Sequence, residues 1–298
     1  MVLLKSLRPN HWIKNLLVFS APLSSFQFRS EVWIPSIVAF ILFCIISSSV
    51  YLLNDCIDVE QDRRHPKKRN RPIAKGYLSI KKALLVSFFL AITCLFISYI
   101  YSLYLFFTLL TYLILQIFYS FGLKSQPLLD IICISFGFFL RAMAGGIVYS
   151  IDRSPWFFLT IWLVALFLAI EKRKTELREY KEEALNTRQV LGRYSLSLLN
   201  RLESLASTST FITYSLWAGG PNLGGAPTSW MLLTVPFVLI GIFRFQLLTD
   251  PEETNRRKES QPYMTGETPE LIIIKDKGMI LTIICWFITI ISIAILKY

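Results

Sequence analysis

The sequence predicts an all-α, polytopic membrane protein of about nine transmembrane helices. Three observations carry this. The 298 residues are 54% hydrophobic and only 17% charged, with a mean hydropathy of +0.51, too apolar for an ordinary soluble domain. Apolar runs of about 17–25 residues recur, the length a helix needs to cross a bilayer. The runs are continuous rather than alternating, which argues against membrane strands. No separate soluble domain is discernible, so residues 1–298 are expected to form a single transmembrane domain.

Taken in order, Met1 to Pro9 is basic but has no apolar core followed by a cleavage site, so no cleavable signal peptide is expected. The stretch RPNHWIKNLLVFSAPL places Arg8, His11 and Lys14 before a short apolar segment broken by Pro22. Interfacial anchoring accounts for these three, and Trp12 suits the same belt. Val32 to Leu53 is the second span, Leu78 to Ile100 the third and Tyr101 to Tyr119 the fourth. Almost no loop separates the third and fourth, which predicts a tight hairpin. YSFGLKSQPLLD follows, with Pro127 starting the next helix. Leu128 to Tyr149 is the fifth span and contains Arg141, while Ala142, Ala144, Gly145 and Gly146 permit close helix packing. Trp156 to Ile170 is the sixth span and runs into EKRKTELREYKEEALNTRQVLGRYS, mostly a solvated face. The seventh is Leu202 to Ala218, followed by the uncharged turn-forming loop GGPNLGGAPTS. The eighth, Trp230 to Leu248, carries Arg244, and the ninth is Met279 to Leu296.

The charges order these spans. With a cytoplasmic N-terminus, the loops after spans two, four, six and eight are cytoplasmic and hold nearly all the Lys and Arg. The other side has little beyond Arg29, Arg153 and Lys297. The net charge of +11 therefore reflects topology and anionic substrates or lipids, not nucleic acid. The five cysteines, Cys44, Cys56, Cys94, Cys133 and Cys285, have neither metal-ligand spacing nor a disulfide framework and read as packing residues.

The chemistry concentrates at Tyr51 to Gly76. If the helix entering this stretch continues to Asp62, then Asn54, Asp55, Asp58 and Asp62 fall within an arc of about 100°. Three carboxylates and an amide suit a hard divalent cation, and Mg²⁺ in particular binds few carboxylates together with substrate phosphates. Arg63, Arg64, His65, Lys67, Lys68, Arg69, Arg71 and Lys75 follow at once and suit phosphates. A solvated collar at a helix end would not require carboxylates on one face. Acid face plus basic loop thus reads as a metal–diphosphate site. Tyr119, Lys124 and Asp130, then Arg141, then Lys172, Arg173 and Glu176 at the exit of span six, and Arg244 all belong to the same side. They are expected to converge on one cytoplasm-facing cavity. Arg141, inside a span, needs a partner or an anionic substrate.

N-D-x-x-D-x-x-x-D from Asn54 to Asp62, followed by R-x-H-P-x-K-x-x-R-P-I-A-x-G up to Gly76, resembles the UbiA superfamily of intramembrane prenyltransferases. RPNHWIKNLLVFSAPL, YSFGLKSQPLLD, FFLRAMAGG, EKRKTEL and PELIIIKD are similar to the branch that acts on polyprenyl phosphate, the decaprenyl-phosphate phosphoribosyltransferases. The likeness covers nearly the whole chain. It implies a UbiA-like helical bundle in the cell membrane that uses Mg²⁺, 5-phosphoribosyl 1-diphosphate and a polyprenyl phosphate lipid. A lipid phosphate oxygen would attack the anomeric carbon and diphosphate would leave. Asp58, Asp62 and Lys124 would be catalytic, with Asn54 and Asp55 supporting the metal. Lys67, Arg71, Tyr119, Lys124, Asp130, Lys172 and Arg173 would bind substrate. Lys14 and Arg141 would engage the lipid phosphate or the ribose phosphate. The chain departs from the aromatic prenyltransferases of the superfamily, whose second Asp-rich motif is D-x-x-x-D, by offering Lys124 and Asp130 instead.

Two rivals share some of these features. An aromatic prenyltransferase would ionise a prenyl diphosphate at the same metal site. A lipid-phosphate carrier would use the same polar cavity, but one-sided charge is at odds with the midplane site that alternating access needs. The sequence is compatible with a homo-oligomer.

Overall fold

A 28-residue helix, α1 (Ser30–Ile57), delivers the acidic stretch to its place. The computed structural model describes residues 2–26, 29–64, 68–147, 154–179, 189–257, 273 and 275–297. Those residues contain helices and turns and no strand, and the chain forms two compact units, Met1–Asp152 and Arg153–Tyr298.

In the first unit α1 is followed by the short α2 (Val59–Arg64), then α3 (Ile80–Tyr101), α4 (Leu103–Phe121) and α5 (Leu129–Ile147). α1 packs on α3, α4, α5 and an N-terminal 3-10 helix, Pro9–Phe19. Its core residues, among them Ala39, Phe43, Ile46 and Val50, meet Cys94, Leu105, Leu109, Tyr112 and Ala144. Three consecutive serines let neighbours come close. Ser49 Oγ donates to the Ser87 carbonyl at 2.8 Å, Ser87 Oγ donates to the Ser49 carbonyl at 2.8 Å, and Ser48 Oγ donates to the Leu7 carbonyl at 3.0 Å. No bilayer water is available to these hydroxyls, so internal acceptors are required.

The tight hairpin is present: Ser102 alone separates α3 from α4. Its N–H closes α3 on the Ser98 carbonyl at 2.8 Å, and its hydroxyl caps α4 at Leu105. α5 starts at Leu129 rather than at Pro127, because Leu128 has a positive φ of 67°. The small residues of α5 act as expected. A Cβ on Gly145 would overlap the Val18 carbonyl of the 3-10 helix.

The second unit contains α6 (Pro155–Glu179), α7 (Leu196–Ala218), α8 (Val235–Thr249) and α9 (Lys277–Lys297). α6 lies along α7, and α8 packs on α9. Asp276 caps α9, accepting the Met279 N–H at 2.7 Å, and receives Arg244 Nε at 2.5 Å and Nη2 at 3.0 Å. Arg244 therefore ties α8 to α9, with Gly278 leaving room for its guanidinium. All five cysteines are free, and four are buried, in keeping with packing roles.

Seven described helical stretches are long and apolar enough to cross a membrane, one of them Ser229–Thr249, a 3-10 turn running into α8, and the chain is a multi-pass membrane protein. The two remaining expected spans have other properties. The first is the 3-10 helix Pro9–Phe19, whose apolar run is far shorter than the roughly 20 residues a span requires. The seventh, α7, has 23 residues but is rich in hydroxyls. Its Thr210 and Ser215 donate to carbonyls one turn back, each at 2.8 Å, Thr160 Oγ1 donates to Thr213 Oγ1 at 3.0 Å, and Trp286 Nε1 donates to Tyr214 Oη at 2.8 Å.

Gly145→Ala is expected to lower the melting temperature of the detergent-solubilised protein by overpacking, at a cost of about 1–3 kcal/mol. Gly241→Ala in α8, where nothing lies within 4 Å of the added methyl, is expected to be neutral or stabilising by up to about 1 kcal/mol. Equal melting temperatures for the two variants would contradict the close contact at Val18.

Candidate active site

The acidic face is built at the end of α1. That helix stops at Ile57, and Asp58 takes φ −90° and ψ 8° before α2 begins. The expected uninterrupted helix is thus hinged at Asp58, yet the helical path persists. Asp58 N donates to the Asn54 carbonyl at 2.9 Å and Asp62 N to the Asp58 carbonyl at 2.8 Å. Asn54, Asp58 and Asp62 therefore succeed one another at four-residue steps along one face.

The basic loop folds back because it carries its own apolar anchor. Ile73, 2% exposed, packs with Leu52, Cys56 and Val59. Backbone bonds from Arg71 to Lys68 at 2.9 Å and from Lys75 to Arg71 at 3.0 Å shape the turn. Arg71 is thereby aimed at the carboxylates. Its Nη1 donates to Asp62 Oδ2 at 2.5 Å and to Asp55 Oδ1 at 3.1 Å. Arg8 Nη2 donates to the same Asp55 oxygen, and Lys124 Nζ donates to Asp58 Oδ1. Asn54 Oδ1 accepts from Ser120 Oγ at 3.1 Å. Asp55 and Asp62 are both buried, so these partners offset a desolvation cost that an unpaired charge could not sustain. Burial pushes the Asp62 carboxyl above its ordinary value. Arg71 pulls it back, and the neighbouring Asp55 carboxylate adds to the rise.

Of the remaining candidates in the first unit, Lys124 joins this face from a 3-10 turn, Leu123–Ser125. Tyr119 is half-buried on α4 beside Ser120, and Asp130 is fully buried in the first turn of α5. Lys14 is half-buried within electrostatic reach of Tyr112. Arg141 lies in the packing of α5. Its Nε donates to Asn15 Oδ1, its Nη1 to the Gly137 carbonyl and its Nη2 to Tyr112 Oη, all at 2.8 Å. The guanidinium also faces the rings of Tyr112 at 4.9 Å and Phe138 at 5.3 Å. Among the described residues no carboxylate forms an ion pair with it. The partner that an intramembrane arginine requires is therefore a set of neutral oxygens and aromatic faces. Lys67 lies outside the described residues.

In the second unit, Arg173 is buried on α6 and its Nη1 donates to Glu176 Oε2 at 2.6 Å, while Lys172 is half-buried. Next to them Lys174 is held by Glu171 and Glu203, and Gln246 Nε2 donates to Glu203 Oε1 at 2.9 Å. Sequence reasoning did not select Arg8, Glu171, Lys174 or Glu203. The three-residue step from Glu171 to Lys174 was an available sign. Arg8 gave none beyond its place in a motif, because its partner lies 47 residues away.

Among the described residues no group of three His, Cys, Asp or Glu side chains forms a metal cage. The oxygen set of Asn54, Asp58 and Asp62 fits a hard cation that arrives with phosphate ligands of its own, as Mg²⁺ does.

Comparison with known proteins gives consistent results. The model of the UbiA prenyltransferase family matches residues 17–265. A decaprenyl-phosphate phosphoribosyltransferase of Mycolicibacterium smegmatis is 36% identical, covering 97% of this chain and 91% of its own. A protein of the same description from Corynebacterium glutamicum is 33% identical over 95% and 84%. A solved UbiA homolog from Archaeoglobus fulgidus, bound to DMAPP and Mg²⁺, shares the fold. Its TM-score is 0.69 at 18% identity, over 97% of this chain and 99% of that one.

Arg141→Lys is expected to destabilise the protein, since an ammonium cannot reproduce three divergent bonds worth roughly 1.5–3 kcal/mol each. Thermal unfolding of the solubilised variant measures this, and an unchanged melting temperature would remove Arg141 from the framework.

Proposed function

Because this chain belongs to the UbiA prenyltransferase family and is a transferase, we propose that it transfers the 5-phosphoribosyl group of 5-phosphoribosyl 1-diphosphate to a polyprenyl phosphate of the decaprenyl type. The observation that carries the reading is the acidic face with a cation on two of its carboxylates, Arg71 on Asp62 and Lys124 on Asp58. The names of the relatives support the donor and acceptor.

In this reading an oxygen of the lipid phosphate attacks the anomeric carbon. The bond from that carbon to the diphosphate oxygen breaks, giving polyprenyl phosphoryl-5-phosphoribose and diphosphate. The barrier is charge separation between an oxocarbenium-like carbon and the leaving group. Mg²⁺ held by Asp58 and Asp62, with Asn54 and Asp55 in support, supplies charge neutralisation when bound. Arg71, Lys124, Lys67 and Tyr119 grip the phosphates of the donor, and Asp130 supports that end of α5. Lys14 serves a second phosphate, and Arg141 holds the elements that present it. Lys172 and Arg173 are phosphate-binding candidates on the second unit. A phosphate monoester is already a competent nucleophile, so alignment replaces a dedicated base. The site would open to the cytoplasm from a cell-membrane protein acting as a single transmembrane domain. A prenyl diphosphate donor with an aromatic acceptor is the second reading, favoured by the DMAPP in the Archaeoglobus homolog.

Purified protein, polyprenyl phosphate, Mg²⁺ and ribose-labelled 5-phosphoribosyl 1-diphosphate decide between them. Label is expected to move into the organic phase and to stop doing so on chelation. Folded protein that transfers no label but consumes prenyl diphosphate would establish the second reading. Asp58→Asn and Asp62→Asn are each expected to lower turnover by about a hundredfold or more with unaltered folding. Normal turnover in either would undo the metal assignment.

A further inference from the structure

The second unit buries a cluster of three ionisable side chains of its own. Glu171 is 0% exposed, Lys174 5% and Glu203 7%. Lys174 contacts both carboxylates, Glu171 one turn back on α6 and Glu203 on α7. Contact with a single nitrogen puts the two carboxyl groups within about 6 Å of each other. Gln246 of α8 donates to Glu203 through an uncharged amide, Nε2 to Oε1 at 2.9 Å. The other titratable groups of the packed elements have their own places. Arg173 pairs with Glu176, Arg178 Nη1 donates to the Thr249 carbonyl at 3.0 Å, and Arg244 holds Asp276. Lys172 is half-buried, and Tyr214 bonds to Thr234 at 2.7 Å. Arg201 on α7 and Arg193 on the 3-10 turn Gln189–Arg193 are exposed, with Tyr194 buried beside it. Among the described residues, Lys174 is thus the one cation paired with either Glu171 or Glu203.

Two buried carboxylates against one ammonium would keep a net negative charge in an interior that tolerates it poorly. Like charges at this range favour the binding of one proton. We propose that Glu171 and Glu203 share one proton beside Lys174, and that this proton-bound cluster is the latch that fixes the exit of α6 against α7 and α8. Glu171 is the carboxylic acid and donates to Glu203. Glu203 is the carboxylate that Lys174 neutralises, so the cluster has no net charge. Glu171 has no exposed surface and admits nothing larger than a proton. Lys172, Arg173 and Glu176 lie about 100° or more round α6 from Lys174 and Glu171, so the latch also sets the roll of α6 that presents them. In alkaline solution hydroxide takes the proton, leaving water and a second buried carboxylate. The folded chain holds a proton that the unfolded chain, with ionised glutamates, does not. The latch is therefore closed at neutral pH and weakens as pH rises. It stands independently of the phosphoribosyl reading.

Infrared difference spectra of the full chain in nanodiscs at neutral pH test the sharing. The carbonyl stretch of a carboxylic acid is expected in the wild type and is expected to be lost in both Glu171→Gln and Glu203→Gln. The second variant leaves Glu171 and Lys174 as a one-to-one ion pair. A band that survives Glu203→Gln would mean an isolated acid and would overturn the sharing, as would a wild type whose spectrum matches that of Glu171→Gln. Thermal unfolding at neutral and alkaline pH tests the latch. Glu171→Gln is uncharged at every pH, and its amide N–H donates to Glu203 as the acid does. Its melting temperature is expected to match the wild type at neutral pH and to exceed it by at least about 4 °C in alkaline solution. Parallel pH profiles would reduce Glu171 to packing and overturn the latch. So would a Glu171→Gln chain that fails to fold, since a site that holds a proton accepts an uncharged isostere.

Discussion

Neutralising carboxylates that are buried where α1 leaves the apolar core is the constraint on which the rest of the site depends. An isolated charge there would be too costly to keep. Arg71 answers for two of them at once, at 2.5 Å from Asp62 and 3.1 Å from Asp55. The loop that carries it is fixed by Ile73 packing on Leu52, Cys56 and Val59. The electrostatics and the shape of the loop are therefore one problem with one solution. Removing the apolar anchor would disperse the charges.

The second unit meets the same requirement with different parts. Lys174 lies between Glu171 and Glu203, and Asp276 takes both arms of Arg244. These pairs join helices that hydropathy alone would only bring into the same membrane. Arg141 is the contrasting case. Its guanidinium bonds to Asn15, Gly137, Tyr112 and aromatic faces, and so links α4, α5 and the N-terminal 3-10 helix. Among the described residues no carboxylate pairs with it.

The long apolar helices were legible in the sequence because hydropathy over some twenty residues is a property of composition. α7 was legible by length but not by character. Its hydroxyls look polar in sequence and become compatible with an apolar setting only by bonding back to carbonyls one turn away. The 3-10 form of Pro9–Phe19 was not legible, since it depends on packing against α1 and α5. At the site, the four-residue steps from Asn54 to Asp62 follow from helix geometry alone. The partners do not. Which carboxylate receives Arg71, Lys124 or Arg8 is decided by contacts across 9, 66 and 47 residues. Arg8 consequently read as an interfacial anchor and Arg141 as a ligand-seeking charge.

The balance of charge bears on what kind of ligand the site can take. A cluster of bare carboxylates attracts a metal as a resident cofactor. A cluster whose carboxylates face Arg8, Arg71 and Lys124 also presents cations to an anion. The proposed reaction brings two anions together, a leaving diphosphate and an attacking lipid phosphate, which repel each other unless separate cations receive them. If Arg71 and Lys124 hold the diphosphate, as in the proposed reaction, the attacking phosphate needs its own positive partner. In the proposed reaction Lys14 would meet that requirement, on the segment that Arg141 holds through Asn15. The buried arginine would thus act on the chemistry by fixing the backbone that presents the lysine, not by touching either substrate.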